Sequence, residues 1–202
     1  MPRSFAPLLA AVLLALAAAA AASPAHNNAA TDFIRKSCRA TQYPSVCVKS
    51  LSSYGESSPP PRSPRELARA ALAVSADRAL AASAYVGRLC GGAPGAHGGA
   101  KRAAEPVRDC LEDLADGVGH LRDAAEEMGG GMGREGSPAF KWHLSNVQTW
   151  CSAALTDEST CLDGLSRGVD AATRAAIRGK VVEVAQVTSN ALVLVNRVGP
   201  GY

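Results

Sequence analysis

The clearest regularity along the chain is an apolar series that starts at Val107 and runs Val107, Leu111, Leu114, Val118, Leu121, Ala125, Met128. Its steps alternate between four and three, the spacing of one face of an α-helix. A second series follows with Phe140, Leu144, Val147, Cys151, Ala154, Cys161 and Leu165, interrupted only by Glu158. A third runs Ile177, Val181, Val184, Thr188, Ala191, Val195, Val198. Upstream, residues 64–89 are alanine-rich and carry a weaker line through Leu72, Ala76, Ala79, Ser83, Val86 and Cys90. There Ser63-Pro64 suits an N-cap followed by proline at the first helical position. The pattern predicts four helices of roughly 25 residues, each ~38 Å long at 1.5 Å rise per residue.

Glycine-rich stretches at 91–99 and 129–136 and a Ser/Pro stretch at 57–64 separate these segments and read as loops. Short connections force neighbouring helices to run antiparallel, so the expected fold is all-α, an up-down-up-down four-helix bundle. Residues 31–54 predict an N-terminal helical hairpin. Thr31-Asp32 is its start signal, Pro44 begins its second helix, and Cys38 and Cys47 flank the turn. A hairpin of this size buries little area on its own.

The first residues change the picture. Arg3 is followed by an uncharged run over residues 8–22, too short for a comfortable membrane span and succeeded by small side chains. Residues 1–22 are therefore expected to be a secretory signal peptide, with cleavage after 25 as the alternative. No later run reaches membrane length, so a soluble extracellular protein is expected. Losing the leader takes 21 basic residues to 20, against 18 acidic. That near balance argues for neither a nucleic-acid nor a membrane partner. Aromatics make up only 4% of the chain and β-branched runs are few, which favours helix over strand. No Asn-x-Ser/Thr occurs, so no N-glycan is expected.

Six cysteines, at 38, 47, 90, 110, 151 and 161, read as disulfides in an oxidising compartment. Six allow fifteen pairings, and spacing alone does not choose among them. There is no Cys-x-x-Cys, and the histidines at 26, 97, 120 and 143 miss zinc-ligand spacing, so neither metal nor cofactor is expected. His-Glu-x-x-His, Gly-x-Ser-x-Gly and phosphate-loop patterns are absent. His143, beside Trp142 and Lys141, reads as a surface histidine. Asp109, Glu112, Asp113, Asp116 and Asp123 mark the outer side of a helix, a solvated face that can also touch a partner. No catalytic residue is assigned, and the chain is not expected to be an enzyme.

Thr41-x-Tyr43-Pro44-x-x-Cys47 after Cys38, Asp109-Cys110 on a helix, and the unbroken run from Val147 through Ser152-Ala153-Ala154-Leu155-Thr156 to Thr160-Cys161 carry a resemblance. Together with Thr188-Ser189-Asn190-Ala191-Leu192, they resemble the plant invertase/pectin methylesterase inhibitor domain over residues 29–198. The resemblance implies a four-helix bundle with an N-terminal hairpin. It also implies pairing of Cys38 with Cys47 and of Cys110 with Cys161. Cys90 and Cys151 depart from the family's four-cysteine core, and stand either as buried free thiols or as a third bridge. The function implied is inhibition of a cell-wall pectin methylesterase in the apoplast, by a one-to-one non-covalent complex that covers the pectin-binding cleft. Cell-wall pectin would then keep more of its methyl esters. Acid invertase is the alternative target. Invertase inhibitors of this family carry Pro-Lys-Phe where this chain has Pro138-Ala139-Phe140. The contact residues it suggests are Thr160, by position, with Thr149, Ser152, Thr156 and Asp163 on the polar side of the same helix. Thr156 and Asp157 also read as a helix-end cap or kink. From another class stand a non-inhibitory secreted structural protein and a detached esterase pro-region.

Overall fold

The computed structural model describes residues 24–57, 59–91, 99–166 and 168–199, with the side chains of 24–27, 90–91 and 99–104 excepted. The expected signal peptide, residues 1–22, and most of the expected 91–99 loop lie outside the described residues. Among the described residues six helices follow in order: α1 (Pro24–Cys38), α2 (Pro44–Gly55), α3 (Pro64–Gly91), α4 (Gly99–Gly129), α5 (Pro138–Gly164) and α6 (Ala171–Asn196). The last four form a ring in which α3 packs on α4, α4 on α5, α5 on α6, and α6 back on α3. The α1–α2 hairpin packs against α3 and α6.

Local chemistry sets most of the boundaries. Pro44, Pro64 and Pro138 each stand at the first turn of a helix, where a missing N–H costs nothing. Ser137 caps α5 by accepting from the Phe140 N–H at 3.2 Å. Asp170 caps α6 by accepting from Ala172 and Thr173, and these bonds hold its carboxyl below the usual range. Glu66 reaches back to the Ser63 N–H while Ser63 Oγ accepts from Glu66, a reciprocal box at the start of α3. The α4–α5 loop turns through Gly133 and Gly136, both at φ 79°, a conformation open to glycine.

Two expected starts are revised. α1 begins at Pro24 rather than at Thr31-Asp32, because nothing between them stops a helix. α4 begins at Gly99 and carries Pro106 inside it, at the cost of one backbone hydrogen bond.

The buried side chains divide into two apolar clusters. The larger joins the hairpin to the bundle through Ile34, Leu51, Leu67, Leu72, Leu121, Met128, Phe140 and Leu194. The smaller holds Val86, Leu114, Leu165, Ile177 and Val181. The boundary passes between Ala82 and Val86 on α3, Val118 and Leu114 on α4, Ala154 and Cys161 on α5, and Val184 and Val181 on α6. Glu158 lies at that level, fully buried. The interruption expected at Glu158 is therefore no break: the residue continues the inward line of α5. The burial line also drifts elsewhere, placing Ala124 and Ala82 inside while Ala125 and Ser83 are half-buried.

Candidate functional site

The stretch with the most specific sequence pattern is α5, and its outer side is organised. Counting from its first turn, Trp142, Ser145, Thr149, Ser152, Thr156, Ser159, Thr160 and Asp163 are all exposed. Apart from the adjacent Ser159 and Thr160, their steps of three and four place them on one stripe. From Trp142 to Asp163 the stripe is ~32 Å long at helical rise. The five residues singled out from sequence, Thr149, Ser152, Thr156, Thr160 and Asp163, all fall on it. Helix α5 runs unbroken to Gly164, so Thr156 and Asp157 neither cap nor end it.

The hydroxyls share one arrangement. Each donates to the carbonyl four residues earlier: Thr149 to Ser145, Ser152 to Gln148, Thr156 to Ser152, Ser159 to Leu155 and Thr160 to Thr156, at 2.8–3.1 Å. Their protons are used within the helix, and their lone pairs face outward. The stripe thus presents acceptors and suits a partner that brings donors.

Three ties fix the stripe relative to α4. At one end His143 Nδ1 lies 2.7 Å from Glu127 Oε1, to which Asn146 also donates at 3.1 Å. Those two hydrogen bonds hold the Glu127 carboxyl below its ordinary range. Midway, His120 Nδ1 meets Asp157 Oδ2 at 2.9 Å. At the far end a disulfide joins Cys110 to Cys161, with Cα atoms 4.2 Å apart. His143 is half-buried and partnered rather than a free surface histidine, and the exposed Trp142 ring stands edge-on to it, 5.0 Å away.

Beside the stripe the field is negative. Asp113 is pushed up by burial first, then by Asp157, Asp109, Asp116 and Glu112. Carboxylates that repel one another are held close by the fold, and a cationic partner would relieve them. Behind the stripe, Glu158 accepts from Thr188 Oγ1 at 2.7 Å, and its Oε2 has no hydrogen-bond partner among the described residues. Burial pushes its carboxyl to about 8, so it is protonated in mildly acidic surroundings. Cys151 is a buried free thiol whose Sγ lies 3.8 Å from the Thr188 carbonyl. Burial pushes this thiol up to about 12. That leaves no 90–151 bridge. The Cys90 side chain lies outside the described residues.

On the opposite side of the bundle the hairpin is closed by a Cys38–Cys47 disulfide with Cα atoms 5.6 Å apart. Gly55 lies so near Thr31 that a Cβ there would come within 2.9 Å of its hydroxyl. The hairpin turn is held by Asn190, whose side chain accepts from the Tyr43 N–H and donates to the Tyr43 carbonyl, both at 2.9 Å. Among the described residues no group of His, Cys, Asp and Glu is placed to hold a metal, and no helix is long and apolar enough to cross a membrane.

Sequence reasoning passed over Trp142, Ser145 and Ser159. Continuing the three-four spacing backward from Thr149 finds Ser145 and Trp142, and a step of three from Thr156 finds Ser159. The histidine–carboxylate ties had no signal, since their partners lie 16 and 37 residues apart.

Comparison with known proteins places this geometry. Residues 32–194 match the family described as "Plant invertase/pectin methylesterase inhibitor". The chain is 41% identical to "Pectinesterase inhibitor 9" of Arabidopsis thaliana, over 92% of this chain and 90% of that one. It is 40% identical to the "21 kDa protein" of Daucus carota, covering 97% and 96% of the two chains. Among solved structures it is similar to mutant form A of a pectin methylesterase inhibitor from Arabidopsis. That match has a TM-score of 0.57 and 22% identity, and covers 79% of this chain and 92% of the other. At that identity the likeness speaks for the fold.

Proposed function

The chain belongs to the plant invertase/pectin methylesterase inhibitor family, and from that premise we propose that it is a secreted inhibitor of a plant pectin methylesterase. The α4–α5 face docks over the pectin-binding cleft of the enzyme in a one-to-one, non-covalent complex. Thr149, Ser152, Thr156, Thr160 and Asp163 make the polar contacts, and Trp142 supplies an apolar anchor at one end. The observation that carries this reading is the rigid acceptor stripe on α5, tied to α4 at three levels. Binding by such a surface avoids the cost of ordering a loose one. Buried aromatic anchors dominate many protein interfaces, which suits an exposed Trp. Occlusion of this kind asks no catalysis of the inhibitor.

The esterase is preferred to acid invertase because the inhibitor-named relative above carries a pectinesterase name and because Pro138-Ala139-Phe140 lacks the central lysine. Secretion is supported by the uncharged run at 8–22 and by two disulfides, which persist in oxidising compartments. The test is titration of the purified mature chain against a plant pectin methylesterase, with acid invertase in parallel. Esterase activity is expected to fall linearly to an equivalence point of one inhibitor per enzyme. Full esterase activity at micromolar inhibitor, or loss of invertase activity instead, would overturn the reading.

A further inference from the structure

Charge is distributed very unevenly over this fold. Residues 99–164, which cover α4 and α5, contain twelve carboxylates and six basic residues. Residues 30–91 and 165–199, which cover the hairpin, α3 and α6, contain six carboxylates and fourteen basic residues. The near-neutral total therefore hides a molecule with an acidic side and a basic side. In the ring of four helices the α3–α6 seam lies opposite the α4–α5 seam.

The basic side carries shaped features. Among the described residues the hairpin covers one half of the α3–α6 seam, at the level of Asn190, and leaves the other half open. In the open half a cavity of about 240 Å³ is lined by Arg78, Tyr85, Arg88, Lys180 and Glu183. Glu183 sits 3.2 Å from Arg78 and 3.8 Å from Lys180, and it is the one carboxylate lining a cavity with three cations. Lys180 Nζ stands 5.8 Å from the centre of the half-buried Tyr85 ring. Where the hairpin meets the same seam, a second cavity of about 330 Å³ is lined by Phe33, Lys36, Leu67 and Arg197, with no carboxylate. Both cavities combine an aromatic ring with cationic side chains.

We propose that this α3–α6 face binds an acidic polysaccharide, a polyuronate whose carboxylates are free rather than esterified. A ring packs against the C–H face of a sugar, while guanidinium and ammonium groups meet the carboxylates that recur along the polymer. Arg78 and Arg88 are ~15 Å apart along α3 by helical rise, so the contact spans several sugars. The face is opposite the proposed esterase-docking stripe, so both can be occupied together. The choice of polyanion rests on the esterase reading: hydrolysis of a methyl ester on a polyuronate uncovers a carboxylate. The inhibitor would then collect on pectin that the enzyme has already processed.

The test is affinity electrophoresis of the mature chain through gels containing polygalacturonate or fully methyl-esterified pectin, with no esterase present. Retardation is expected in polygalacturonate alone, and it should fade as salt is raised because exposed ion pairs are screened. The triple variant Arg78→Gln, Arg88→Gln, Lys180→Gln is expected to bind about tenfold more weakly. Tyr85→Ala should also weaken binding. Arg88→Glu alone, at an exposed position, serves if the triple variant does not fold. All should inhibit the esterase as the parent does. Equal retardation by both polymers, unchanged binding by the variants, or equal capture by phosphatidylserine vesicles would overturn the proposal. If the parent binds polygalacturonate but inhibits no esterase, the docking stripe fails and this face stands.

Discussion

The hairpin and the α4–α5 pair each carry one disulfide, and the bond has a different job in each. The hairpin helices are 15 and 12 residues long, and Ile34, Leu51 and the two half-cystines supply much of their buried surface. The α4–α5 helices are 31 and 27 residues long and contribute rows of apolar side chains to both core clusters. In the hairpin the covalent bond, with Asn190, supplements a small share of the core. In the long pair it is added to a core that already holds, and it sets where the end of α5 sits against α4. A staple thus makes a small element exist, and makes a large one aim.

The sharpest way to test that the long pair rests on its core is Glu158→Gln. Burial raises the Glu158 carboxyl to about 8 in the folded chain, above its ordinary unfolded value. Its stabilising share is complete below the unfolded value, near pH 4.5. It shrinks as pH climbs toward 8, because the unfolded chain releases the proton first. Urea midpoints should therefore coincide for parent and Glu158→Gln at pH 4. By pH 8 the variant should be more stable by on the order of 4 kcal/mol. A gap that does not widen with pH would place the carboxyl elsewhere.

Next in size is the bundle staple. Replacing Cys110 and Cys161 by Ala should cost ~4 kcal/mol in the chain-entropy model, for a separation of 51 residues, and leave a cooperative helical fold. Replacing Cys38 and Cys47 should cost less, ~2.5 kcal/mol for a separation of nine residues. It should also release the hairpin to limited proteolysis while the bundle resists. If both pairs gave the same global loss and no local release, the contrast drawn above would fall.

Asn190→Ala should cost ~2 kcal/mol, since it leaves the Tyr43 N–H without its partner and the Tyr43 carbonyl with the Cys47 N–H alone. Hydrogen exchange should then quicken in α1 and α2 before it does in α4 and α5. The smallest effect on stability is expected from Trp142→Ala. Its side chain is 62% exposed, so the midpoint should move by less than ~0.5 kcal/mol. Esterase inhibition should nonetheless weaken about tenfold, as for an exposed anchor buried by a partner.

Much of the fold was legible because its signals are local. Ser63-Pro64 starts a helix with atoms only a few residues apart; Ser137 and Asp170, which the sequence reading did not single out, start theirs in the same local way. The apolar lines of α3, α4, α5 and α6 were readable for the same reason, with a drift of one position at Ala82 on α3 and Ala124 on α4. The starts at Pro24 and Gly99 were not readable, because alanine-rich and glycine-containing stretches allow helix without demanding it. The hydroxyls of α5 could be picked from spacing and resemblance, but not their outward lone pairs. Those follow from a helix that continues past Glu158.

The sequence by itself determined the helical class, the helix count of the bundle, the hairpin ahead of it and the family. Periodicity, caps and a specific motif run act over a few turns at most. Only the tertiary structure decided that Glu158 is inside, that Cys151 has no bridge, that His120 and His143 tie α5 to α4, and that acidic and basic residues part to opposite seams. Each of these depends on which residues meet across helices, and contacts between residues distant in the chain leave no periodic trace in it.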